Sequence, residues 1–367
     1  MHIGIDLLWV RPGICGGTES YIRNLLDGFT LYDKENQYTL FVSEDNGGTF
    51  THYGDNPNMK VEVCPVKSAV QAKRILWENL HMDKYAKKDR VEVMFLPVYS
   101  KPMSYGSKIP YVSVIHDLQA FHYPEYFSLP RRWFSKWSWK HTCQTSDRVI
   151  VTSEYGREDL LSHYPFAKDK VLIIADPILS RDSRCEYAQL EERYGLKNRA
   201  YFYCVSSLLP HKNLDTVLKA MSCWQGKEVL VLSGVGNQNR ELQEKIEKYH
   251  LQDKLILTGF VSDEERDCFY ENCKVFLYPS VFEGFGMPPI EAMRKGKRVV
   301  MTEKSCLKEI TKEKGVYVKD PYSVEEWSRQ IAFAMTLPEE KQPFEEYGLQ
   351  AVVKEYQEAI RKAVKKN

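Results

Sequence analysis

The stretch Tyr278-Pro-Ser-Val-Phe-Glu283-Gly-Phe-Gly286-Met-Pro-Pro-Ile-Glu291-Ala-Met293 decides the reading of the chain. Before it, Lys274-Val-Phe-Leu-Tyr278 is a short apolar strand. Its tail, Pro289 to Gly296 with Ile290, Met293 and terminal basic residues, reads as a helix. Gly284, Gly286, Pro288 and Pro289 forbid a continuous helix between the two glutamates. Glu283 is therefore expected on the strand-to-helix loop and Glu291 in the first helical turn. The amides of Gly284, Phe285, Gly286 and Met287 would face the helix mouth, whose positive dipole end attracts an anion such as a diphosphate. That leaves the carboxylates to hold hydroxyls.

Outward from this turn the same alternation repeats. Strands are expected at Tyr201-Val205, Glu228-Leu232, Leu255-Leu257, Val275-Leu277 and Arg298-Met301. Helices are expected between them at Asp215-Cys223, Arg240-Tyr249, Asp263-Asn272 and Pro289-Gly296, with Val324-Met335 beyond, a doubly wound α/β pattern of Rossmann type. An earlier series, His2-Leu8, Val91-Leu96, Tyr111-Ile115, Arg148-Thr152 and Val171-Ile174, alternates with helical segments at Glu19-Phe29 and Trp133-Thr145 and implies a second parallel sheet. The pattern lapses into charged, proline-containing sequence around Asp176 to Arg193. We expect two domains, 1–180 and 181–342, with a C-terminal helical segment, 343–367, returning to the first; 367 residues is a natural length for two.

The chain carries 51 basic and 50 acidic residues, a net charge of +1, which argues against a bulk nucleic-acid binder. Nine cysteines without a Cys-x-x-Cys pair favour free thiols in a reducing cytosol. The sequence opens directly into a strand, and no segment approaches the ~18 continuous apolar residues of a membrane span. A cytoplasmic protein is expected.

In doubly wound sheets ligands bind at the carboxyl ends of strands. Several polar motifs fall there. Gly16 and Gly17 open a helix after the first strand, where the backbone can approach a phosphate. His116-Asp117 follow the strand ending at Ile115, and the imidazole is placed to hydrogen-bond a sugar or a departing phosphate. After Tyr201-Val205 come Ser206, Ser207, His211 and Lys212; an ammonium at a helix entrance suits a diphosphate that gains charge as it leaves. Each has a plainer alternative: a turn, a structural histidine, a solvated lysine. Leu232-Ser-Gly234-Val-Gly236-Asn237 lacks the third glycine of a dinucleotide fingerprint and reads as an ordinary turn. Finally, Pro130 to Lys140 joins Arg131, Arg132, Lys136 and Lys140 with Trp133, Phe134, Trp137 and Trp139 on one helix, which would either rest on an anionic membrane or bury its tryptophans in the core.

With those residues in place, the chain resembles glycosyltransferase family 4, retaining enzymes whose two facing Rossmann-like domains are called GT-B, over nearly its whole length. The resemblance is carried by Glu283-Gly-Phe-Gly-Met-Pro-Pro-Ile-Glu291, Ser207-Leu-Leu-Pro-His-Lys212-Asn, Gly16-Gly17 and His116-Asp117. It implies that Glu283 holds donor-sugar hydroxyls, that the amides of Gly284 to Met287 hold sugar and diphosphate, and that Glu291 holds the ribose. Lys212 would neutralise the diphosphate, with His211 sharing the load because Ser206 and Ser207 stand where many members carry an arginine. The glycine pair would close on the phosphates. His116, Lys212 and Glu283 would be the catalytic set. The implied reaction is transfer of a hexose from a nucleotide sugar, GDP-mannose first and a UDP-sugar second, to a glycan or lipid-linked acceptor, with no metal and no cofactor, since no Asp-x-Asp pair is present to bridge a metal to the diphosphate. The resemblance is greatest to bacterial mannosyltransferases of surface polysaccharide synthesis, and peripheral attachment at the inner face of the membrane would bring the enzyme to such an acceptor. The alternative is a sugar-nucleotide epimerase of similar two-domain fold.

Overall fold

The computed structural model describes residues 1–98, 101–103, 108–179 and 185–365. The chain divides into two compact units, Met1–Leu179 with Glu346–Asn367, and Ser180–Glu345.

The first unit is built on a seven-stranded parallel sheet, β1 (His2–Asp6), β2 (Gln37–Ser43), β3 (Met59–Cys64), β4 (Val93–Leu96), β5 (Tyr111–Val114), β6 (Arg148–Val151) and β7 (Val171–Ile173), in the order β3-β2-β1-β4-β5-β6-β7. Its helices are α1 (Gly17–Tyr32), α2 (Gln71–Lys88), α3 (Gln119–His122), α4 (Leu129–Thr145) and α5 (Glu154–His163). In the second unit the helices are α6 (Tyr187–Tyr194), α7 (Leu214–Cys223), α8 (Arg240–Lys248), α9 (Asp263–Asn272), α10 (Met287–Arg294), α11 (Leu307–Ile310) and α12 (Val324–Thr336). They flank a six-stranded parallel sheet of β8 (Tyr201–Val205), β9 (Val229–Ser233), β10 (Leu255–Gly259), β11 (Val275–Tyr278), β12 (Val299–Thr302) and β13 (Val316–Val318) in the order β10-β9-β8-β11-β12-β13. The last helix, α13 (Leu349–Val364), belongs to the first unit.

Central strands such as β4 (Val-Met-Phe-Leu) and β11 (Val-Phe-Leu-Tyr) are buried along their whole length because helices cover both sheet faces, which is why they read as apolar runs rather than alternating ones. The core of the second unit gathers Val217, Leu218, Leu230, Leu277, Trp327 and Ile331. In the first, Leu8, Phe41, Met82 and Met94 form one cluster, and Ile115, Trp139, Cys143 and Val149 another. The return of α13 onto α1 depends on Gly28, where an added Cβ would come within 2.6 Å of Val353. The hydroxyls of Tyr21 and Tyr356 meet at 2.8 Å across that contact.

Several elements depart from the sequence expectation. β2, β3 and α2 were not anticipated, nor was β13. α6 lies inside the polar stretch that reads as irregular. The C-terminal helix starts at Leu349, after a 3-10 turn at Glu345–Tyr347, rather than near Pro343. More consequential for the site, α10 begins at Met287, two residues before the expected Pro289, so Glu291 lies in the second turn and not the first. The reason is that the first turn of a helix needs no N–H donors, so Pro288 and Pro289 fit inside it.

Candidate active site

In each sheet the strand order reverses beside the first strand of its unit, between β1 and β4 and between β8 and β11. Connections leave in opposite directions at such a point and open a crevice at the carboxyl ends of the strands. The loops after β8 and β11 therefore meet in the second unit, and two hydrogen bonds join them. Val281 N–H donates to the His211 carbonyl at 2.8 Å, and Ser280 Oγ donates to the same oxygen at 3.3 Å.

This stitching brings Lys212 to Glu283. Lys212 lies in the 3-10 turn Pro210–Lys212 just before α7, and its Nζ is 2.7 Å from Glu283 Oε1. Tyr278, at the end of β11, donates its hydroxyl to the same oxygen at 2.6 Å. The Glu283 side chain is only 12 % exposed. Burial alone would raise its carboxyl, but the Lys212 ammonium and the hydrogen bond from Tyr278 outweigh it and hold the group below the usual glutamate range. His211 is buried, and desolvation, aided by the adjacent ammonium, lowers its imidazole to about 4. It is neutral at pH 7 and cannot add a second charge to Lys212. Ser207 lies on the same loop, half-buried.

The glycine turn is fixed from behind. Gly286 caps α10 with φ 93°, and a Cβ there would also meet Leu307 at 2.9 Å, so the position requires glycine. Ser305 Oγ accepts the Glu283 N–H at 3.2 Å, and Cys306 Sγ lies 3.0 Å from the Phe285 carbonyl. Phe285 and Met287 are themselves buried. The first four N–H positions of α10 fall on Met287, Pro288, Pro289 and Ile290, so two donors of a generic helix mouth are missing.

Glu291 is tied to other partners: Tyr270 donates its hydroxyl to Oε2 at 3.0 Å, and Arg266 Nε lies 3.5 Å from the same atom. Arg266 and Tyr270, both on α9, escape the sequence reading, as do Tyr278, Ser305 and Cys306. The only signal for any of them is their position at strand ends or on the helix preceding β11.

In the first unit Gly16 caps α1 with φ 58°, and Gly13 N–H donates to Glu19 Oε2 at 2.9 Å, shaping the turn that opens the helix. His116, just past β5, is buried, edge-on to Tyr21. Its Nε2 donates to the Pro97 carbonyl beyond β4 at 2.9 Å, which leaves Nδ1 facing Asp176 Oδ1 at 3.9 Å. Burial pushes His116 down to about 4 and Asp176 up to about 7, so both groups favour their neutral forms. Asp176, unremarked in the sequence, is the first-unit counterpart of the acid–base pairing at Glu283.

On α4, Trp133 is 75 % and Trp137 46 % exposed, with Leu129 and Phe134 also exposed, whereas Trp139 is in the core. The amphipathic alternatives thus resolve residue by residue: one tryptophan packs inward and two stay outside.

Residues 188–351 match the family described as "Glycosyl transferases group 1", and residues 15–178 match "Glycosyltransferase Family 4". The chain thus carries a glycosyltransferase family 4 domain followed by a glycosyltransferase group 1 domain. It is 24 % identical over 234 residues to the O-antigen chain mannosyltransferase RfbU of Salmonella typhimurium, covering 64 % of this chain and 63 % of that one. It is 26 % identical over 229 residues to O-antigen chain mannosyltransferase B of Escherichia coli, covering 60 % of each. The match therefore spans less than two thirds of the length of these relatives. Among solved structures, Anabaena HepE in complex with UDP and glucose superposes with a TM-score of 0.66 at 17 % identity, covering all of this chain and 96 % of that one. Sucrose-phosphate synthase from Thermosynechococcus elongatus reaches 0.70 at 17 % identity, covering all of this chain and 97 % of that one. The architecture is that of GT-B glycosyltransferases, α/β with two parallel sheets.

Proposed function

We propose that the protein is a retaining glycosyltransferase that moves a hexose from a nucleotide sugar to a hydroxyl of a glycan or lipid-linked acceptor. The observation that carries this reading is the Lys212–Glu283 pair at 2.7 Å, placed at the reversal of the second sheet beside a glycine-capped helix. When a diphosphate arrives, Lys212 turns to it and neutralises the charge that grows as the anomeric C–O bond breaks. Glu283, held ionised and released from the ammonium, accepts from the donor-sugar hydroxyls. The backbone from Gly284 to Met287 lines sugar and diphosphate, Glu291 takes the ribose, and Ser207 and the neutral His211 complete the donor set. Gly16 and Gly17 approach the phosphates. His116, neutral at pH 7 with its N–H given to the Pro97 carbonyl, is left with Nδ1 as an acceptor for a sugar hydroxyl; a hydrogen bond to the leaving phosphate would require its Nε2–H to leave Pro97. The new glycosidic bond forms on the face the diphosphate leaves, and a diphosphate oxygen takes the acceptor's proton.

GDP-mannose is the first-choice donor, in line with relatives named as mannosyltransferases; a UDP-sugar is second, in line with the UDP and glucose in the HepE structure. No metal is needed in this scheme, because Lys212 and the helix mouth stand where a bridging cation would. Among the described residues no helix is long and apolar enough to cross a membrane. Contact with an anionic leaflet is proposed through α4, whose exposed Trp133 and Trp137 lie on the same face near Arg131, Arg132 and Lys136. Each cation near such a surface contributes about 1 kcal/mol.

Thermal denaturation tests the donor site: GDP and GDP-mannose at about 100 times their dissociation constants should stabilise the protein by ~2.7 kcal/mol, in EDTA and, separately, in magnesium. A protein indifferent to every nucleoside diphosphate and its sugars would overturn the reading. Cosedimentation with anionic liposomes tests the membrane contact. Wild type should pellet at low salt, while a variant with Arg131, Arg132 and Lys136 changed to Ser should stay in solution.

A further inference from the structure

On the first unit, beyond the loop that starts at His116, three side chains with metal-ligand chemistry converge. His122 is the last residue of α3, and Asp159 and His163 are one turn apart on α5. His122 Nε2 lies 2.9 and 2.8 Å from the two Asp159 oxygens, and His163 Nε2 lies 3.7 Å from Oδ1. One ligand atom from each of the three falls within 4.8 Å of the other two.

We propose that His122, Asp159 and His163 form a site for a divalent transition metal, zinc being the best match. A tetrahedral zinc with bonds of about 2.0–2.2 Å sets its ligand atoms roughly 3.4 Å apart. The observed separations bracket that value, so small side-chain rotations convert the hydrogen-bonded cluster into a coordination sphere. The donor set is two imidazoles and one carboxylate, borderline ligands that suit zinc better than magnesium or calcium, which take oxygens. His163 is already oriented: its ring stacks on Phe121 with centroids 3.8 Å apart and planes within 13°. Lys136 Nζ covers Phe121 at 4.0 Å. All three side chains remain partly exposed, which gives a path in and room for water as fourth ligand.

The site would be a clip and not a participant in transfer. α3 follows β5 through the loop that starts at His116, and α5 follows the neighbouring β6. A metal bridging them pins the segment between His116 and His122 to the body of the unit.

The test uses the full chain stripped with chelator and titrated with zinc against a chromophoric competitor. Wild type should bind one equivalent at micromolar affinity or tighter. His122→Gln, Asp159→Asn and His163→Gln should each weaken binding at least tenfold, while His52→Gln, on an exposed turn elsewhere, should not. Cobalt(II) should give the visible absorption of a four-coordinate site in wild type and lose it in His163→Gln. Each variant's far-UV circular dichroism and GDP-induced thermal shift establish that it is folded and separate this outcome from the donor-site reading. Zinc binding that is no tighter in wild type than in the three variants overturns the proposal.

Discussion

Each unit sets an acid beside a base at the carboxyl edge of its sheet, Glu283 with Lys212 in the second and Asp176 with His116 in the first, and the two pairs are held in opposite states. At 2.7 Å from the Lys212 ammonium, with Tyr278 also donating, the Glu283 carboxyl is held below its usual range despite burial. At 3.9 Å, with Nε2 of His116 already committed to Pro97, the same desolvation leaves His116 neutral and raises Asp176 to about 7, where its neutral form is half populated at neutral pH. Burial thus does not decide protonation; the number of compensating contacts does. The charged pair can be opened by an incoming diphosphate, whereas the neutral pair offers hydrogen bonding without charge.

Breaking the charged pair should have the largest effect. Lys212→Ala should cost about 3 kcal/mol of transition-state stabilisation, roughly 150-fold in turnover, because the neutral His211 and the proline-depleted mouth of α10 leave no substitute charge. Steady-state transfer assays read this directly, and turnover within a few-fold of wild type would remove Lys212 from the mechanism. Glu283→Gln should lower turnover about 10²-fold with the fold intact. Glu291→Ala should act differently, raising the donor KM about tenfold with a smaller fall in turnover, since ribose contacts persist from ground state to transition state. A pure turnover defect would contradict its placement.

An effect on stability, with no change in turnover as its readout, sharpens the other pair. An acid whose folded pKa is raised to about 7 from 3.8 binds its proton more tightly when folded, so stability is lost as pH climbs between those values, by up to about 4 kcal/mol. Asp176→Asn removes that loss. The melting temperature of the variant relative to wild type should therefore rise from pH 5 to pH 8. Asp6 and Glu78, whose carboxyls burial also raises, to about 6 and 8, are common to both proteins and cancel in the difference. A pH-independent gap would show that Asp176 is ionised when folded.

The second unit was the more legible in the sequence, for local reasons. β8 falls on its expected residues, Tyr201 to Val205, because an all-apolar run is bounded by polar loops. α9 does so because Ser262 and Glu265 form a reciprocal capping box at its start. In the first unit β3, Met-Lys-Val-Glu-Val-Cys, mixes charged and apolar residues beside a turn-rich segment, and α2 spends much of its surface on lysines. Their burial is only settled by what packs on them. The same limit applies to the site. Glu283, Lys212 and Gly286 announce themselves through loop chemistry, but Tyr278, Ser305, Cys306 and Asp176 acquire partners only when strands distant in sequence become neighbours. Glu291 was legible as a residue and misplaced by a turn, because prolines were read as the edge of a helix that in fact contains them.

The docking of α13 on α1 has a consequence for how the molecule is made. Synthesis proceeds from the first unit through all of the second before Leu349 to Val364 emerge, so the Tyr21–Tyr356 contact and the Val353 seat over Gly28 cannot form while residues 180–345 are still being added. The first unit therefore waits with one helix-sized apolar face uncovered, Val352, Val353, Ile360 and Ala363 being its missing half. On the ribosome the second unit has its whole sequence available while the first still lacks its final helix, so the order of completion runs opposite to the order in which the units begin.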